Sequence, residues 1–212
     1  MSEKKRFIHS LIFPLLFLIL IWLNYMLFIV IKADMTLIGI KPLTLKGIPG
    51  ILLSPFAHGS IKHILSNSIS FFVLSTLLFY FYRQIAYRVF FLNWIISGTL
   101  LWIGGRELIH IGASGLIYGL AFFIFFSGFF RKEKSFKAIS FIVILFYGGM
   151  VWGMIPQNNN ISWEGHLFGA MSGFSLAWYY RKSPLEINND LSNTNVTWGD
   201  YDSYKYEYFE DK

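Results

Sequence analysis

A serine hydroxyl becomes a useful nucleophile when a base takes its proton during attack, and one serine and one histidine here are spaced to make that exchange. Ser114 stands in Gly112-Ala113-Ser114-Gly115 and His166 in Gly165-His166-Leu167-Phe168-Gly169, each opening an apolar stretch. His63 and Asn67, at i and i+4, share a helix face, and both can donate hydrogen bonds to a developing oxyanion. The backbone N–H of Ser114 is a third donor, because the first N–H groups of a helix have no intrahelical acceptor. The chemistry these residues allow is acyl transfer by a Ser-His dyad. A carboxylate to orient His166 is not evident: Ser162, Trp163, Gly169 and Ala170 fill the positions one turn away, and Glu164 falls on another face. Orientation is then expected from packing, against Tyr118 one turn below Ser114.

Other readings of the same residues stay open. A serine at a helix start is commonly an N-cap, and intramembrane His and Asn often serve only as interhelical hydrogen bonds. His110, one turn before Ser114, is a rival base, although Gly112 interrupts the helix between them. His58, His63 and His166 could suggest a metal site, but there is no His-Glu-x-x-His and no nearby intramembrane carboxylate. No metal and no cofactor are expected.

The elements that must hold these groups are hydrophobic helices. Of 212 residues, 55% are apolar and only 14% charged, against roughly 25% charged in soluble domains, so a water-soluble globule is excluded. With no Cys there is no disulfide and no thiolate chemistry. Apolar stretches at about 7–31, 61–82, 88–104, 114–130, 138–153 and 165–180 predict an all-α, polytopic membrane protein of six transmembrane helices. With the N-terminus inside, eleven Lys and Arg near the membrane, among them Lys4, Lys5, Arg6, Arg131, Lys132 and Arg181, are cytoplasmic. Five (Lys32, Lys41, Lys46, Lys62 and Arg106) are outside, so both termini are expected in the cytoplasm. Counted back from Arg83, Arg131 and Arg181 at about 1.5 Å per residue, Asn67, Ser114 and His166 lie ~24, ~26 and ~22 Å up their spans. All three reach one depth, just below the outer surface. Gly115-xxx-Gly119 and the run Gly165, Gly169, Gly173 form small-xxx-small faces that let helices approach closely, and His166 shares the face of Gly169 and Gly173.

Residues 1–182 read as one membrane domain. The first outer loop, about 32–60, mixes Gly and Pro with Ile48, Ile51, Leu52 and Leu53 and is expected to lie in the interface. Residues 183–212 hold seven acids and two lysines and read as a flexible cytoplasmic tail. Asn158-Asn159-Asn160 after Pro156 reads as a mobile turn.

Three motifs in order resemble the rhomboid intramembrane serine proteases: His58-x4-His63-x3-Asn67 on the second span, Gly112-Ala113-Ser114-Gly115 opening the fourth, and Gly165-His166-x2-Gly169-x3-Gly173 opening the sixth. The likeness covers about residues 7–182 and implies a six-span rhomboid-like bundle. By that resemblance Ser114 corresponds to the nucleophile, His166 to the base, and His63, Asn67 and the Ser114 amide to the oxyanion hole. Tyr118 matches the aromatic packed on the base, and His58 a supporting histidine. Span five, with Phe146 and Trp152, and the following loop through Pro156 are implied to act as lateral gate and lid. The chain departs from the family in one respect: many members carry a Trp-Arg pair in the first outer loop, and none occurs between 32 and 60.

The expected function is therefore intramembrane serine endopeptidase, cleaving single-span membrane proteins near the outer face through an acyl-enzyme. The resemblance implies a bacterial inner membrane. The alternative is a catalytically inactive rhomboid-like protein that binds membrane clients, though such proteins commonly lack the nucleophile or base. A transporter is poorly supported, because no ionisable residue continues through the inner two thirds of spans four and six. Partners are the lipid bilayer and membrane-protein substrates, with no nucleic acid. Oligomeric state is not readable from the chain.

Overall fold

A computed structural model of the chain describes residues 2–156 and 162–185. The expected turn at 158–160 and the acidic tail from 186 onward lie outside the described residues. Among those described, six long helices carry the chain: α1 (Glu3–Val30), α2 (Ile61–Phe81), α3 (Ala86–Gly104), α4 (Ser114–Phe130), α5 (Lys134–Tyr147) and α6 (Trp163–Tyr179). The protein is all-α, a multi-pass membrane bundle. α1, α2, α3 and the stretch Lys134–Met154 are long and apolar enough to cross a membrane. α4 and α6 have 17 residues each, about 25 Å against a hydrocarbon core of roughly 30 Å, and these two short helices begin with Ser114 and Trp163-Glu164-Gly165-His166.

The expected fifth helix, 138–153, differs from what is observed. It starts earlier, at Lys134, and its α-helical part stops at Tyr147, where Gly148-Gly149 begin a 3-10 run, Gly148–Met154. Two adjacent glycines weaken the α form and permit the tighter winding.

α4 is the central helix, buried at Leu116, Ile117, Tyr118, Gly119, Leu120, Ala121, Phe123 and Ile124. Its approach to α6 is backbone against backbone. A Cβ at Gly169 would overlap the Gly115 carbonyl oxygen, and one at Gly173 would overlap that of Gly119. Only hydrogen side chains let the two axes come so near, which in lipid replaces hydrophobic drive with dispersion contact. α3 locks the pair: the fully buried Asn93 donates from Nδ2 to the Leu116 carbonyl at 2.9 Å, and Ser172 Oγ donates to the Asn93 carbonyl at 3.5 Å. On the other side α1 and α2 meet through Phe17 stacked on Phe71 at 4.9 Å and Trp22 Nε1–H donating to Ser68 Oγ at 3.1 Å.

The loop between α1 and α2 leaves Leu37, Leu43 and Leu45 exposed, as an interfacial segment does. It has no Trp-Arg pair of its own, and two tryptophans of α3 hold it. Trp94 Nε1–H donates to the Ile51 carbonyl at 3.0 Å and Trp102 Nε1–H to the Thr44 carbonyl at 2.9 Å. A single antiparallel bridge, Ile40 with His110, ties this loop to the one between α3 and α4.

Candidate active site

α4 opens without a side-chain cap. Its N-cap is Ala113, and Ser114 is the first helical residue, so the hydroxyl is not consumed as a capping acceptor. The residue before the cap, Gly112, has φ +108°, a conformation that L side chains rarely adopt, and its N–H donates to the Ser54 carbonyl at 2.9 Å. A Cβ at Gly112 would stand 2.7 Å from His63 Nε2 and 3.5 Å from Asn67 Nδ2. The missing side chain thus leaves room for the two expected oxyanion donors beside the start of α4.

Those donors come from α2, whose first turn is fixed when Ser60 Oγ accepts the His63 N–H at 3.2 Å. Asn67 Nδ2 donates to His58 Nε2 at 3.0 Å. The second amide proton of Asn67 remains for another acceptor. His58 has no solvent exposure, and its pKa is pushed down to about 4, first by burial and then by the neighbouring His63 ring. It is therefore a neutral acceptor that aims the Asn67 amide.

At the start of α6, a Cβ on Gly115 would lie 3.1 Å from the Gly165 carbonyl oxygen. The sequence neighbours of Ser114 and His166 are thus in backbone contact. The His166 ring stacks on Tyr118 with centroids 4.1 Å apart and 4° between planes. His166 Nδ1 lies 2.8 Å from the Gly153 carbonyl oxygen, and Tyr118 Oη–H donates to the Met150 carbonyl at 2.9 Å. Among the described residues, no hydrogen bond joins Ser114 Oγ to His166. Such bonds are often long before substrate arrives. Ser114, His166, His63, Asn67 and Tyr118 all line one cavity of about 820 Å³.

A domain model described as Rhomboid domain matches residues 47–183. The chain belongs to the rhomboid family. The match leaves out α1, where the motif likeness had been extended to residue 7. An uncharacterized protein of Mycobacterium tuberculosis is 35% identical over 150 residues, 66% of this chain and 62% of that protein. A protein of Acanthamoeba polyphaga mimivirus, provisionally named a rhomboid protein, is 30% identical over 149 residues, 66% of this chain and 80% of its own. A Bacillus subtilis protein, provisionally named a rhomboid protease, is 32% identical over 133 residues, 60% of this chain and 65% of its own. The matched stretch thus spans less than two thirds of the length of the mycobacterial relative.

This rhomboid also holds polar groups that sequence reasoning left apart. Arg106 forms a two-pronged ion pair with Glu164, through Nε to Oε1 and through Nη2 to Oε2 at 3.1 Å. Glu164 is 3% exposed, so this partner accounts for its buried charge. His110, the rival base, is hydrogen-bonded elsewhere than to Ser114. Its Nε2–H donates to the Arg106 carbonyl at 3.2 Å, and its Nδ1 accepts from Ser162 Oγ–H at 2.7 Å. Burial holds its pKa below the ordinary histidine value. The carbonyls of Met150 and Gly153 were also missed, because a backbone acceptor has no sequence signature; the glycines at 148, 149 and 153 were the available hint. Among the described residues, no group of three or more His, Cys, Asp or Glu is arranged to hold a metal ion.

Proposed function

We infer that this rhomboid is an intramembrane serine endopeptidase acting on single-span membrane proteins near the outer face of a bacterial inner membrane, with both termini cytoplasmic. Ser114 Oγ attacks the scissile carbonyl carbon while His166 Nε2 takes the hydroxyl proton. The oxyanion receives hydrogen bonds from His63, Asn67 and the Ser114 N–H. The proton then passes from His166 to the leaving amine, and water hydrolyses the ester on Ser114 by the same route in reverse.

The observation that carries this reading is the common cavity. Five polar side chains from α2, α4 and α6 line about 820 Å³ of open space, within the usual range of ligand sites. Family membership supports it, as do the unspent hydroxyl of Ser114 and the glycine contact that joins the two helix starts. A substrate helix must unwind to offer its carbonyl, so Gly, Ala and helix-breaking residues near the cut are favoured.

The test is cleavage of a single-span model substrate in detergent, with mass spectrometric detection of a serine-directed mechanism-based inhibitor on Ser114. Wild-type protein is expected to cleave and to carry the adduct. Ser114→Ala and His166→Ala are expected to do neither while keeping the wild-type melting temperature. Normal cleavage by either variant sinks the reading. A wild-type protein that binds clients but neither cuts nor labels is the inactive client-binding alternative.

A further inference from the structure

We propose that the backbone carbonyl of Gly153 supplies the orienting function for which no carboxylate is present, and that the 3-10 segment Gly148–Met154 is therefore a positioning element of the site. The inference rests on His166 being the base proposed above.

The chemistry follows from what a carbonyl can do. It has lone pairs and no proton, so the ring nitrogen 2.8 Å from the Gly153 oxygen must be the donor, Nδ1–H. A neutral imidazole carries one N–H, and Nε2 is left with its lone pair. That is the tautomer a base facing a serine hydroxyl needs. When Nε2 accepts the Ser114 proton, the ring becomes cationic and the Nδ1–H bond to the carbonyl becomes charge-assisted, so the same contact strengthens as the reaction proceeds.

The segment grips the ring in two ways. Gly153 holds its edge, and Met150 holds the Tyr118 hydroxyl at 2.9 Å, which fixes the ring stacked on the imidazole face at 4.1 Å. The seat allows no side chain at 153: a Cβ there would overlap Tyr118 Oη and stand 3.2 Å from His166 Nδ1. Gly149, in the same segment, is different, since a Cβ there meets nothing within 4 Å. The outer side of the segment exposes Val151 and Trp152. Any displacement of this segment from its seat, by a substrate helix or by α5, would release the imidazole from both constraints at once.

The experiment uses full-length protein labelled with ¹⁵N-histidine in detergent, His166 being assigned by the resonance lost in His166→Gln. In the wild type, neutral His166 is expected to be Nδ1-protonated only. Gly153→Ala is expected to show mixed tautomers, a kcat about 10²-fold lower from misplacement of the base, KM changed less than about twofold, and a parallel drop in Ser114 labelling rate. Gly149→Ala, whose added methyl meets nothing within 4 Å, should keep the wild-type tautomer and lose far less in kcat than Gly153→Ala. Tyr118→Phe, which keeps the ring and loses the Met150 contact, should fall between them.

A wild-type His166 protonated at Nε2 overturns the proposal, and this holds even if Gly153→Ala does not fold. Wild-type tautomer and kcat in Gly153→Ala also overturn it, as do equal losses in Gly149→Ala and Gly153→Ala. If wild-type Ser114 fails to label while His166 is Nδ1-protonated, the protease reading fails and the tautomer assignment stands.

Discussion

Two serine–histidine pairs line the same cavity, Ser114 with His166 and Ser162 with His110, and their wiring is nearly a mirror image. In each, one ring nitrogen bonds a backbone carbonyl: Nδ1 of His166 to Gly153, Nε2 of His110 to Arg106. The difference lies in the other nitrogen. His110 Nδ1 already accepts the Ser162 proton at 2.7 Å, next to a carboxylate that Arg106 neutralises. Both hydrogen-bonding positions on the ring are used, so the pair joins the α3–α4 loop to the start of α6. Among the described residues, His166 Nε2 and Ser114 Oγ have no such bond, and His63 and Asn67, the proposed oxyanion donors, line the same cavity. Buried polar groups are normally satisfied, and the informative place is where capacity is left unspent beside open volume. A serine near a histidine is therefore a weak signal alone; on the function proposed above, the unspent lone pair is what sets Ser114 and His166 apart from the structural pair.

The sharpest way to break this comparison is to remove each hydroxyl in turn. Ser114→Ala should lower cleavage of the model substrate by at least about 10³-fold, whereas Ser162→Ala should stay within a few-fold of wild type. Equal losses would mean that the two pairs act as one unit. Next in size is the oxyanion side. Asn67→Ala should cost about 10²-fold in kcat, as removal of one such donor does elsewhere, with little change in KM. Loss in KM alone would make Asn67 a binding contact and leave the Ser114 amide and His63 as the donors.

Much of this was legible from the chain, and the reasons are physical. Helices with apolar runs and glycines at four-residue spacing announce themselves, because the bilayer leaves few other solutions; the α4–α6 contact at Gly115, Gly119, Gly169 and Gly173 is the pattern realised. Tyr118 against His166 was legible for the same reason, one turn being a fixed distance. What was not legible came from the backbone and from loops. Neither the Gly153 carbonyl nor the turn of the chain into 3-10 geometry at Gly148 has a side chain to read. Arg106 and Glu164 were visible separately, one as an outer basic residue and one as a carboxylate on the wrong face. Their pairing depends on how a loop folds over the start of α6, which periodicity cannot specify.

Acid sharpens the comparison from the side of stability. His58 is held neutral by burial, with its pKa pushed down to about 4, and His110 is also lowered. The unfolded chain takes up these protons near the ordinary value of 6.5 while the folded protein refuses them. The contribution is thus intact above about pH 6.5 and is lost as pH falls toward 4. For His58 the loss is roughly 3 kcal/mol at most. Melting temperature in detergent should fall between pH 7 and 4.5. His58→Gln, lower at neutral pH because Asn67 loses its imidazole acceptor, should show a shallower decline. An equally steep decline in that variant would assign the acid sensitivity to other groups, His110 first among them.

The smallest effect belongs to the satisfied pair. Ser162→Ala removes the donor to His110 Nδ1 and leaves that lone pair buried without a partner, which should cost about 1 kcal/mol and a few degrees in melting temperature. The Arg106–Glu164 pair and the Ile40–His110 bridge still hold the same loop, so the loss should stay local. The measurement that discriminates is the ratio of cleavage to stability. Ser162→Ala should lower the melting point with kcat unchanged, and Ser114→Ala should abolish kcat with the melting point unchanged. A Ser162→Ala protein that melts normally but cleaves slowly would reverse the assignment, giving His110 a part in the chemistry and leaving the hydrogen-bond count as a poor guide to which pair reacts.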